Sequence, residues 1–197
     1  YKMEHIYNIA KFVHVISFVF MSIPLFNLII VNERALMGPS LNYETDRYFE
    51  NIIKRGAIRC FVFQWTVFIS GAVILTLGSG LTAILSNWVL TVKTLILILL
   101  MSLLSYVHFS LQPKIEKLLV SLSPGEQPPE DLSEKLLPFR IQRKKLATIC
   151  LFLVITAIIL GVQTYTRFHP FVSIALIFFA AGFSIRANKS LIRFGWF

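Results

Sequence analysis

Five long apolar stretches, set apart by polar or basic segments, organise the 197-residue chain. A membrane crossing needs about 20 largely apolar residues, and the stretches at about 10–31, 60–81, 88–111 and 146–165 reach that length. The fifth, about 171–185, is shorter and reads either as a tilted span with a snorkelling basic tail or as a re-entrant segment. The pattern therefore predicts an all-α, polytopic membrane bundle of four to five helices forming one domain, residues 1–197.

The connecting segments, 32–59 and 112–145, have patterns of their own. In "YETDRYFENIIKRGAIR", 43–59, Tyr48, Phe49, Ile52 and Ile53 share one helical stripe with charges opposite. That predicts an amphipathic helix lying on the membrane surface before span two. In "QPKIEKLLVSL" the positions Ile115, Leu118, Leu119 and Leu122 predict that span three continues as an exposed helix past a kink at Pro113. "SPGEQPPED", 123–131, reads as a polar loop, helix resumes near Ser133, and "RIQRKK", 140–145, reads as a headgroup anchor for span four. The small-residue run "LGSGLTA", 77–83, is expected to permit close helix approach.

Composition agrees with the pattern. Hydrophobic residues make up 56% of the chain and charged residues only 15%, against about 25% charged in soluble domains. The net charge of +9 flanks apolar spans, which points to anionic lipid rather than nucleic acid. With five spans, the loops 32–59 and 112–145 and the C-terminal tail carry five, seven and three basic residues, while the opposite side has four. The excess predicts an N-terminus outside and a C-terminus in the cytoplasm, in the inner membrane. Met3 reads as the initiator after a short remnant, and the first apolar run, without a small-residue cleavage site, is expected to stay in place as a span. Cys60 and Cys150 stand far apart, with no metal-type spacing, and read as free buried thiols.

The polar residues within the apolar runs are the candidate chemistry. His14 lies about one turn inside span one, and an unpartnered buried imidazole costs roughly 1–3 kcal/mol. His108 lies some 20 residues into span three. At about 1.5 Å per residue the two differ in depth by over roughly 20 Å, so one iron does not join them. Lys93, five residues into span three, lies near the depth of His14. His169, in the turn between spans four and five, is on the same side, with Lys11 and Arg167 nearby. An ionisable residue inside a span is by default a functional-site hypothesis. The alternatives are a snorkelling Lys93, a His14 bonded to a neighbour, and an interfacial His108.

The runs "FVHVISFVFMSIPLFNLIIVNERAL", "KRGAIRCFVFQWTVFISGAVILTL" and "NWVLTVKTLILILLMSLLSYVHF" together resemble the haem-containing protoporphyrinogen oxidases of the HemJ type and the related copper-resistance protein D. The resemblance covers about 100 residues and rests on hydrophobic pattern plus His14, Lys93 and His108. It implies a b-type haem with His14 as an axial ligand to its iron. It also implies Lys93 or His169 as the second ligand or a propionate partner, with Lys11 and Arg167 able to neutralise the haem carboxylates. Where the oxidases have a Trp–Phe–Ala–Gly-like stretch and Leu–Pro–Arg, this chain reads "SFVFMSIPLFNLII". The likeness therefore speaks more for the haem than for the oxidase activity.

Three functions follow. The first is a membrane haem protein that moves electrons, or oxidises a tetrapyrrole, at the outer leaflet, with a redox partner. The second is a non-catalytic subunit of a larger membrane complex. The third is a metal or small-solute transporter, weakly supported by four dispersed Met and two distant Cys. No P-loop, dinucleotide fingerprint or nucleophile–base pair supports soluble-enzyme chemistry.

Overall fold

The fold is that of a computed structural model, which describes residues 2–34, 43–120, 129–164, 166 and 168–189. All secondary structure among the described residues is helical: α1 (Lys2–Arg34), α2 (Tyr43–Leu77), α3 (Ala83–Ser86), α4 (Trp88–Tyr106), a π-helical turn (Val107–Leu111), α5 (Gln112–Val120), α6 (Glu130–Val162) and α7 (Pro170–Lys189). Five of these units are long and apolar enough to cross a membrane, with α4, the π turn and α5 acting as one. The chain is thus an all-α, multi-pass helical bundle. Its α7 has 20 residues, about 30 Å at the usual rise, so the fifth segment has the length to cross.

The arrangement follows from which faces are apolar all round. α6 is the most buried of the five spans and touches α1, α4, α5 and α7, while α1 packs along α2. The core stacks Met21, Leu25 and Ile29 of α1, Cys60 and Val67 of α2, Leu97 and Leu100 of α4, and Leu151 and Val154 of α6. Large residues such as Phe12, Trp65, Phe171, Phe178 and Phe179 stay exposed, as lipid-facing positions do.

Three local expectations are corrected. Residues 43–59 do not form a separate surface helix: α2 is a single helix of 35 residues. Its buried face runs Asp46, Glu50, Ile53, Ala57, Cys60, a spacing of three and four that carries two acids into the bundle. Likewise "RIQRKK" is not simply a headgroup anchor, because Arg140, Arg143 and Lys144 are buried. Past Pro113 the helix is not exposed, because Ile115 and Leu119 are buried, and before the proline the helix widens. The Gln112 N–H bonds the Val107 carbonyl, one residue further back than in an α-helix. This accommodates a proline ring that would otherwise press on a carbonyl in the turn before it. The run 77–83 lets α1 come close, as expected, since a Cβ on Gly78 would lie 3.3 Å from the Tyr7 ring, and it also makes the turn after α2. Gly80 adopts φ +82°, and its N–H bonds the Leu75 carbonyl at 2.7 Å, a left-handed helix stop that suits glycine. Asn87 then starts α4, its side chain accepting from the Val89 N–H at 3.0 Å. Of the loop expected at 123–131, residues 123–128 lie outside the described residues, as does most of the C-terminal tail, while α6 already begins at Glu130, ahead of the helix start expected near Ser133.

Candidate functional site at His14

His14 faces α2. Its Nδ1 lies 3.0 Å from the Val67 carbonyl oxygen and 3.1 Å from Ser70 Oγ. A carbonyl only accepts, and the single Ser70 hydroxyl proton is directed to the Thr66 carbonyl, so Nδ1 is the protonated nitrogen. A neutral imidazole then carries its lone pair on Nε2. The ring fits because α2 has a glycine there: a Cβ on Gly71 would lie 3.1 Å from His14 Cε1 and 3.5 Å from Nδ1. Phe18, one turn along α1, meets the imidazole edge to face, with centroids 5.3 Å apart.

Lys93 of α4 completes the group. Its Nζ is 6.0 Å from the centroid of the Phe18 ring, the same ring that meets His14. It reaches towards α6, where a Cβ on Gly161 would be 3.3 Å from Nζ. No carboxylate pairs with Lys93 among the described residues. His14, Ser70, Phe18 and Lys93 thus bring α1, α2 and α4 to one place.

The other expected site residues stand differently. Lys11, one turn before His14, has its Nζ 4.1 Å from the Tyr7 ring centroid, a cation–π contact. His169 is exposed and stacks on Phe171, with centroids 5.4 Å apart, and its carbonyl accepts from Val172 and Ser173 as α7 begins. Arg167 lies outside the described residues. His108 sits in the π turn, its ring edge-on to Phe61 at 5.6 Å and Phe109 at 5.0 Å, with no hydrogen-bond partner on its buried Nδ1.

A second polar cluster, which the sequence reading missed, closes the opposite end of the bundle. Arg143 of α6 holds Glu50 of α2 with two bonds, 2.6 and 2.9 Å. Gln112 bridges them, donating to Glu50 at 3.1 Å and accepting from Arg143 at 2.7 Å. Arg140 donates to Asp46 at 2.9 Å and lies 3.4 Å from Glu50. The signal was available: acids four apart on α2 match arginines three apart on α6, each continuing an apolar stripe. Nearer the surface, Lys54 and Glu116 pair at 3.2 Å.

Two small cavities lie among the described residues of the bundle. One cavity of about 30 Å³ is lined by Met21, Cys60, Gln64, Arg143 and Cys150 with aliphatic neighbours. Another of about 20 Å³ is bordered by Pro24, Gly56, Cys60, His108 and Gln112. Neither is lined by His14. Comparisons with protein-family models, curated proteins and solved structures find no match in any of the three.

Proposed function

We propose that this chain is an integral membrane redox protein that holds a b-type haem through Nε2 of His14, with its N-terminus outside and its C-terminus in the cytoplasm of an inner membrane. The observation that carries the reading is the tethered imidazole. Histidines that bind metals characteristically donate the other ring N–H to a carbonyl or carboxylate, and His14 donates Nδ1–H to Val67 and Ser70 while Nε2 keeps its lone pair. Lys93, with no carboxylate partner among the described residues, supplies a positive charge beside it for an anionic substituent.

The donors fit such a group better than the interior space does. Ligands of that size occupy several hundred Å³, whereas the cavities described hold about 30 and 20 Å³. The macrocycle therefore belongs on the flank of the bundle at the His14 end, in contact with lipid or a partner. When bound, a haem supplies one-electron chemistry. The chain's own residues fix the imidazole: Val67 and Ser70 set its orientation, Gly71 admits it, and Phe18 packs its edge. Lys93 or His169 is the proposed second ligand, and Lys11 and Arg167 the further cations.

The test is haem stoichiometry by pyridine haemochrome. His14→Ala is expected to retain no haem and His108→Ala to retain it fully; full retention by the His14→Ala protein refutes the reading. A second reading, a non-catalytic subunit of a larger membrane assembly, draws support from the small size of the cavities and from the interlocked Glu50–Arg143 end. It predicts a colourless protein that co-purifies with stoichiometric partners.

A further inference from the structure

Cys60 and Cys150, ninety positions apart, were the weakest part of any metal argument made from sequence. The fold brings them to one cavity. Cys60 on α2, Cys150 on α6 and Met21 on α1 are 2%, 5% and 0% exposed, and all three line the same space of about 30 Å³. Thus three of the chain's six sulfur side chains, from three different helices, meet there. Methionine usually fills core gaps; here it and both cysteines border one that remains.

The polar lining is also unusual. Gln64, 1% exposed, has its Nε2 4.0 Å from Cys60 Sγ, and its Oε1 is buried without a partner. Exchanging the amide oxygen and nitrogen only moves the orphan from one atom to the other. An unpaired amide atom costs about 1–3 kcal/mol of desolvation, and Gln64 lines this same space, which takes one or two water-sized occupants. Arg143 also lines the cavity, its charge matched by Glu50.

We propose that Cys60, Cys150 and Met21 form a binding site for one soft monovalent metal ion, of the copper(I) class, in the middle of the bundle. Thiolate and thioether sulfur select such ions, which accept two or three ligands. Zinc is excluded by chemistry, since its closed sites use four nitrogen, oxygen or thiolate donors. Among the described residues no three His, Cys, Asp or Glu side chains gather to serve it. Charge balance favours a monovalent ion: one thiol gives up its proton to solvent as the ion enters, so the interior gains no net charge. On α2 the site lies ten residues from Ser70, which is about 15 Å, and it is separate from His14.

The test is anaerobic titration of the reduced, full-length protein in detergent with Cu(I), in competition with a chromophoric chelator. One ion per chain is expected, with one proton released. Cys60→Ala and Cys150→Ala should each weaken binding by more than the roughly 10–100-fold that a supporting residue costs. Met21→Leu, which keeps volume, should weaken it about tenfold without altering the thermal melt. His14→Ala should bind Cu(I) as the wild type does, so loss of haem and loss of copper are read separately. Unchanged stoichiometry in a folded Cys60→Ala/Cys150→Ala protein overturns the proposal. So does the absence of tight binding to the wild type, or a Cys60–Cys150 disulfide in protein isolated without oxidant.

Discussion

Replacing Glu50 by Gln keeps the side-chain volume but removes the charge that faces Arg143. Arg143 is 1% exposed and cannot reach water without breaking the helix packing. In Glu50→Gln it loses the carboxylate that accepts two of its hydrogen bonds. Breaking a buried pair from one side typically costs about 3–5 kcal/mol, because the remaining ion is uncompensated. For a chain of this size that corresponds to a fall in melting temperature of about 6–20 °C, read by circular dichroism in mild detergent. Removing the whole cluster is different. A Glu50→Met/Arg143→Met/Gln112→Leu protein leaves no buried charge of that pair and no orphaned amide, and should recover most of the loss. A Glu50→Gln protein that melts within about 2 °C of wild type would show that the cluster is solvated. A triple variant no more stable than the single would show that packing, not charge pairing, is at stake.

Other substitutions separate rigid from yielding neighbours. Gly71→Ala sets a methyl 3.1 Å from a ring held by two hydrogen bonds, and a loss of about 1–3 kcal/mol is expected in the same melt, together with loss of haem. Gly161→Ala meets only the tip of Lys93 at 3.3 Å; the ammonium can swing aside, so stability should stay level or rise by up to about 1 kcal/mol. For the topology, a reporter fused after Phe197 should be active in the cytoplasm, and activity on the outer side would reverse the proposed orientation.

The five spans were legible because length and apolar content identify a crossing without reference to partners. The helical continuation past Pro113 was legible for a similar reason, since Ile115 and Leu119 keep the helical period, but their burial against Leu132 and Leu136 was not. The ends of α2 and α6 were not. Asp46 and Glu50 look like surface residues until Arg140 and Arg143, more than ninety positions away, are placed against them. Helical period reveals which residues share a face, but not what that face meets. His14 was readable as a polar group needing a partner, whereas Ser70 and the notch at Gly71 depend on the register of α1 against α2. The convergence of Cys60, Cys150 and Met21 depends on three helices at once, and spacing along one chain has no access to it.

The most direct test is an absorption spectrum of the freshly purified, undenatured protein, taken oxidised and then reduced with dithionite. A tethered imidazole with a free Nε2 beside Lys93 predicts a sharp reduced α-band of the b-haem type, present at one haem per chain and lost in His14→Ala. A featureless visible spectrum in both states would contradict it, leaving His14 as a helix-packing residue bonded to Val67 and Ser70.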